Sequence, residues 1–170
     1  MTALLLQTDL QPEHISIWSI LLRIGVAAGM GMVVGFERKF AEKPAGARTM
    51  ALIAAGAASF TLMGQVLAEE VSPGTGVQLD PTRIVSYIIS GVGFLGAGAI
   101  LHSKRGISGL TTASAIWASA GIGAASGLGL YRIAGVLFGV VVCALWVPWI
   151  GSITNGDESD DNNDSDDEDM

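Results

Sequence analysis

The sequence predicts an all-α fold: a polytopic integral membrane protein of five transmembrane helices, with the N-terminus outside and the C-terminus in the cytoplasm. Three observations carry this. Half of the 170 residues are hydrophobic and only 15% are charged, whereas a soluble domain carries about 25% charged residues. Mean hydropathy is correspondingly high, +0.52. Glycine is abundant, 23 residues, and much of it falls four apart in apolar runs, the pattern by which helices approach closely in lipid. Finally, the basic residues collect in alternate connections between those runs, as cytoplasmic loops do.

Charge is unevenly placed. Of the sixteen acids, nine lie in residues 157–169, so the rest of the chain holds nine bases against seven acids and is +2, although the whole is −7. Three regions follow: a short outside segment 1–14, a five-helix membrane domain 15–151, and an acidic cytoplasmic tail 152–170. No base precedes the apolar residues at the start, so no cleaved signal is expected. The lone Cys143 excludes an internal disulfide and reads as small core filler.

The first span, Ile15 to Phe36, is long enough to cross at about 1.5 Å per residue. Gly25 with Gly29 and Gly31 with Gly35 form G-x-x-x-G pairs. Arg23 lies inside it, because the apolar stretch beyond is too short to span alone. Two readings stay open: an intramembrane charge with a function, or a side chain that snorkels to the outer headgroups. Glu37 to Arg48, ERKFAEKPAGAR, reads as a solvated basic cytoplasmic loop containing Arg38, Lys39, Lys43 and Arg48. Thr49 is positioned to cap the second span, Met50 to Ala68. Within that span Ser59, Thr61 and Gln65 are suited to interhelical hydrogen bonds.

Glu69 to Leu79 returns outside with turn-forming residues. Asp80 and Pro81 give a helix start, an N-cap carboxylate followed by Pro at the first helical position, and Arg83 is placed to pair with Asp80. The third span, Ile84 to Leu101, contains SGVGFLGAGAI, residues 90–100, the most glycine-dense apolar stretch and the one taken to organise the chain. Gly91, Gly93 and Gly96 spell G-x-G-x-x-G. A dinucleotide loop would need an acid about twenty residues on, and none occurs between Asp80 and Asp157. Gly91, Gly93, Gly96 and Gly98 are therefore read as a packing surface, or as the backbone of an ion pathway.

His102, Lys104 and Arg105 form a second basic cytoplasmic turn. Gly106 to Gly109 reads G-x-S-G, a tetrapeptide used by intramembrane serine proteases, but Ser108 has no base within reach apart from His102 in its own turn. The chain is not expected to be an enzyme. Ser108, Thr111 and Thr112 are expected to cap the fourth span, Gly109 to Leu130, and the fifth follows from Arg132 to Ile150. Gly123 with Gly127 and Gly135 with Gly139 repeat the small-residue pairs, and Trp146 and Trp149 mark the inner interface. The final residues, GDESDDNNDSDDEDM, lack apolar content and read as disordered; they do not fit an EF-hand loop.

These pieces together resemble the MgtC/SapB family of bacterial and archaeal inner-membrane proteins. The resemblance runs from Arg23 to Gly129. It rests on Arg23; Gly35, Glu37, Arg38, Lys43, Ala45, Gly46, Arg48 and Thr49; Asp80, Pro81, Arg83 and Ile84; Gly91, Gly93 to Gly98 and Ile100; and Gly109 to Ala113 with Trp117. It implies a multi-pass protein of the cell membrane tied to growth under magnesium limitation. Longer members add a folded cytoplasmic domain after the fifth helix, whose role is not carried over to this chain.

The residues leave two functional classes: a regulator packed against a membrane partner, or a transporter or channel for Mg²⁺ or another ion using the third helix. Magnesium is held through carboxylates and retained waters, and no span contains an acid, so the metal ligands are unassigned and no cofactor is expected. The expected partners are the lipid bilayer and either a homo-oligomer or a membrane protein complex, with no nucleic acid. Arg23, Glu37, Arg38, Arg48, Asp80 and Arg83 are the candidate functional polar residues.

Overall fold

The computed structural model describes residues 15–40, 43, 45–75, 80–103 and 106–154. Among the described residues there are five helices: α1 (Ile17–Phe40), α2 (Ala47–Thr75), α3 (Pro81–Gly98), α4 (Leu110–Gly127) and α5 (Tyr131–Thr154). α1 and the Ala47–Glu69 part of α2 are long and apolar enough to cross a membrane. A short antiparallel hairpin joins α3 to α4. Its strands, β1 (Leu101–Ser103) and β2 (Gly106–Ser108), pair Leu101 with Ser108 and Ser103 with Gly106. The basic turn expected there is thus a hairpin tip, whose Lys104 and Arg105 lie outside the described residues, as does the acidic tail beyond residue 154.

Boundaries move where the sequence has polar residues that a helix can still carry. α1 runs on through Glu37, Arg38, Lys39 and Phe40, so the first loop is shorter than the charge pattern suggests. α2 starts at Ala47, which puts Thr49 in its first turn, and continues past Ala68 into the expected outside segment. α4 is capped by the left-handed backbone of Gly109, φ 89°, with no side-chain cap, so Ser108, Thr111 and Thr112 do not perform the expected capping. Glycine is required at that cap. A Cβ on Gly109 would overlap the carbonyl of Ala99, and the conformation itself disfavours L side chains.

The hub of the bundle is α4, not α3. α4 packs against all four other helices, and Ile122 to Gly127 are buried without a break. Six consecutive buried residues cover the whole circumference of a helix at 100° per residue, so α4 is enclosed on every side at that level. Its sequence permits this, because Ala, Ser and Gly let neighbours close in. A Cβ on Gly127 would stand 2.5 Å from the carbonyl oxygen of Ala58, and one on Gly123 would overlap that of Ala54. On the other side of α2, Gly31 leaves only 2.6 Å to Met50 O and Gly35 only 2.7 Å to Ala47 N. The alanines of α2 are therefore clasped between glycines of α1 and α4, and Met50 Sδ accepts from Ser119 Oγ at 3.5 Å beneath them.

The other small-residue pairs behave differently. Gly25, Gly29, Gly135 and Gly139 have nothing within 4 Å of a built Cβ, and Cys143 is exposed rather than in the core. Large apolar side chains lie on the outside of the bundle, among them Trp18, Leu52, Phe60, Phe94 and Val136. Such a surface is suited to lipid and not to water.

Candidate functional site

α1 carries Arg23 six residues in from its first residue, about 9 Å along the axis. From there the guanidinium turns inward. Its Nη1 donates to Gln65 Oε1 of α2 at 3.1 Å and to the carbonyl of Gly127 at 2.9 Å. That carbonyl is one of the last of α4, which have no partner inside the helix. Two of its neighbours are met by the backbone: Leu130 N–H donates to Ala125 O and Gly129 N–H to Ser126 O, each at 2.9 Å, with Gly129 left-handed at φ 76°. This is a Schellman closure. It leaves Gly127 O for Arg23, which brings a positive charge to the negative end of the helix dipole.

The partners hold one another in place. Gln65 Nε2 donates to Glu69 Oε1 at 3.2 Å, which turns its Oε1 toward Arg23. Glycine at 129 suits the left-handed backbone of this turn, and a Cβ there would make only ordinary contact with Arg23 Cζ at 3.5 Å. Of the polar residues expected to bond between helices, Gln65 does so. Ser59 and Thr61 instead donate to Ala55 O and Ala57 O of their own helix, both at 2.8 Å. The sequence marked Gly127 only as a small-residue partner of Gly123 and carried no signal of its carbonyl, or of Gly129, at this site.

At the opposite end of α1, Glu37 and Arg38 are helical and buried, with 7% and 5% of their surfaces exposed. They were expected in solvent; burial follows because Gly35 lets the start of α2 close over this part of α1. The two side chains form a bidentate pair, Nη2 to Oε1 at 2.7 Å and Nε to Oε2. Neighbours in a helix do not usually face one another, so the pair is neutralised within a single turn. Burying either charge alone would be costly. Arg48 is exposed in the first turn of α2, as are Lys39 and Lys43 beside it. Together these make a positive rim around a neutral buried pair.

Asp80 caps α3 and accepts from Thr82 N at 2.9 Å and Thr82 Oγ1 at 2.7 Å. These hydrogen bonds, aided by the charge of Arg83, hold its carboxyl below the usual value of 3.8. Asp80 is thus engaged with Thr82, and Arg83 acts on it through its field, without an ion pair among the described residues. Arg83 is exposed.

α3 meets α4 through Gly96, whose Cβ would stand 3.6 Å from Ala113 O, while Gly91, Gly93 and Gly98 meet nothing within 4 Å. Among the described residues the expected packing surface is met only at Gly96. Ser86, Ser90, Gly93 and Ala97 form an exposed row of small residues. On the adjoining side, Gly91 lines an apolar groove of about 600 Å³ between α3 and α2. The described side-chain carboxylates are dispersed. Glu37 is engaged by Arg38 at one end, and Glu69 and Asp80 lie at the other; no group of three or more His, Cys, Asp or Glu suited to a metal occurs among the described residues.

Residues 24–149 match the model of the MgtC family. A Haemophilus influenzae protein described as uncharacterized is 41% identical over 148 residues, 86% of this chain and 58% of that protein. Protein SapB of Bacillus subtilis is 40% identical over 134 residues, 77% of this chain and 57% of its own length. Protein MgtC of Salmonella typhimurium is 38% identical over 132 residues, 78% of this chain and 53% of its own length. The chain therefore covers little more than half the length of these relatives. No solved structure matches it.

Proposed function

The chain belongs to the MgtC family, and on that premise we propose a multi-pass cell-membrane protein that acts as a regulator against a membrane partner, in physiology linked to magnesium homeostasis. In this reading all five helices span. The N-terminus and the α4–α5 turn lie outside, and the rim of Lys39, Lys43 and Arg48 lies in the cytoplasm together with the hairpin and the tail, in accord with the excess of positive charge there.

The observation that supports a partner is the row Ser86, Ser90, Gly93 and Ala97. It is exposed on α3, whereas Gly31 and Gly35 of α1 and Gly123 and Gly127 of α4 are closed against α2. Small residues four apart at bilayer depth suit a second helix at close range. The alternative, an Mg²⁺ or other ion pathway along α3, needs backbone carbonyls released from helical bonding, as in broken transporter helices. α3 is one continuous helix from Pro81 to Gly98, which favours the regulator.

The test pairs a flux measurement with complementation. Purified protein in liposomes containing an Mg²⁺ indicator is expected to give no protein-dependent uptake. In cells lacking the protein, growth at low magnesium is expected to be restored by the wild type and not by Gly93→Leu, a variant expected to remain folded because nothing among the described residues lies within 4 Å of a Cβ at that position. Uptake that depends on folded protein and is lost in Arg23→Leu overturns the regulator in favour of transport.

A further inference from the structure

The groove between α2 and α3 differs from the small-residue row beside it. Its walls are Leu52, Ile53, Gly56, Ala57 and Phe60 of α2 and Ile84, Tyr87, Ile88, Gly91, Val92 and Leu95 of α3. At one end Ile84 packs into the space left by Gly64 and closes the two helices together. Below that contact Gly56 and Gly91 form opposite walls, and neither has an atom within 4 Å of a built Cβ. From Ile84 to Leu95 the groove runs eleven residues of helix, roughly 16 Å. One leaflet of the hydrocarbon core is about 15 Å deep. An apolar slot of that length, starting at the end of a membrane helix, has the reach of one acyl chain.

The chemistry beside its closed, Ile84 end agrees. Tyr87 is exposed at the edge of the groove, and Arg83 lies one helical turn beyond it toward the end of α3, also exposed. The carboxylate nearest in sequence, Asp80, is occupied by Thr82. A guanidinium at headgroup height above an aromatic ring and an apolar slot is complementary to a phosphate carrying a long chain.

We propose that the α2–α3 groove is a binding site for an anionic phospholipid, with one acyl chain between Gly56 and Gly91 and the phosphate on Arg83. The proposal rests on the spanning reading of α3 only in placing Arg83 at a headgroup layer. Lipid retention can be measured in detergent, where topology has no bearing, so failure of either reading leaves the other standing.

The experiment is native mass spectrometry of the detergent-purified full chain, titrated with dioleoyl phosphatidylglycerol and, separately, dioleoyl phosphatidylcholine. The wild type is expected to retain one phosphatidylglycerol per chain in preference to phosphatidylcholine. Gly91→Leu and Gly56→Leu fill the slot from opposite walls and are each expected to lower retention about tenfold, the worth of about two buried methylenes. Arg83→Gln is expected to weaken phosphatidylglycerol about fivefold, the worth of one interfacial cation, and to abolish the preference over phosphatidylcholine. Val136→Leu, on the exposed face of α5, is the control for general lipid contact, and circular dichroism confirms the helices of each variant. Unchanged retention in both filled variants overturns the proposal. So does conversion of an oligomer to monomer in those variants with lipid retention unaltered, which would make the groove a contact between copies. A preference that survives Arg83→Gln overturns the headgroup assignment.

Discussion

Removing Arg23 tests whether the α1–α2–α4 contact is a working clamp. In Arg23→Leu, Nη1 loses its bonds to Gln65 Oε1 at 3.1 Å and Gly127 O at 2.9 Å. Interhelical hydrogen bonds in membrane proteins average about 0.6 kcal/mol and reach about 1.7. The larger effect is on α4: a carbonyl that its own backbone closure leaves unmet is stranded beside a half-buried site, for about 1–3 kcal/mol. Relief of the desolvated guanidinium offsets part of this. The expected net loss is about 2–3 kcal/mol. Gln65→Leu removes the bond from Arg23 and the exposed one to Glu69 and is expected to cost about 1 kcal/mol. Because both changes delete the same bond, the double variant should cost less than their sum by roughly 0.6–1.7 kcal/mol. Equilibrium unfolding of the four proteins in one mild detergent gives that coupling directly. Additivity within about 0.3 kcal/mol would refute the clamp, and a stability of Arg23→Leu equal to wild type would mean that the side chain resides at the headgroups instead.

Three further outcomes follow from the packing and charge. Gly123→Ala is expected to destabilise by about 1–3 kcal/mol, since its Cβ overlaps the carbonyl of Ala54 and helix α2 must give way, whereas Gly135→Ala should be neutral or stabilising by up to about 1 kcal/mol; thermal melts in detergent compare them. Glu37→Gln leaves Arg38 buried without its counter-charge and is expected to cost about 3–5 kcal/mol, much of it recovered in the doubly apolar variant Glu37→Met with Arg38→Met; a single variant as stable as wild type would show the pair to be solvated. Asp80 has its folded pKa depressed, so its contribution to the start of α3 is fully present above the ordinary value of 3.8 and is lost as pH falls through the lower folded value. Hydrogen exchange at Thr82 should therefore show protection over Asp80→Ala that is constant above pH 3.8 and fades below it.

Legibility followed the range of the interaction. The cap of Asp80 with Pro81 was readable because every participant lies within three residues, and the structure has it in the bonds to Thr82. That Arg23 lies within the first helix and not at its end was readable from the distance to the end of its apolar run. Its partners were not, because Gln65 and Gly127 are 42 and 104 residues away, and a backbone carbonyl has no residue type to announce it. Glu37 and Arg38 misled for a related reason. A cluster of charges reads as solvent-facing when each is taken singly, and only the pairing of adjacent residues, under the close approach at Gly35, makes burial tolerable.

The glycines show the same limit in a more general form. Gly31/Gly35, Gly123/Gly127, Gly25/Gly29 and Gly135/Gly139 are identical patterns, yet the first two are filled by α2 and the last two by nothing among the described residues. A G-x-x-x-G pair records that a backbone can be approached; it does not record by what. The deciding difference lies in the rest of the helix. Around Gly123 and Gly127 the other positions are Ala, Ser and Ile122, all buried, so small residues on every face let four neighbours close around α4. Around Gly91, Gly93 and Gly98 stand Tyr87, Phe94 and Leu95, all exposed. Bulky side chains on one face and glycine on the next keep α3 at the edge of the bundle, where its glycines remain open to something outside the chain. The most glycine-dense stretch is peripheral because its neighbours are large, and the central helix is central because it has almost nothing large to keep its neighbours away.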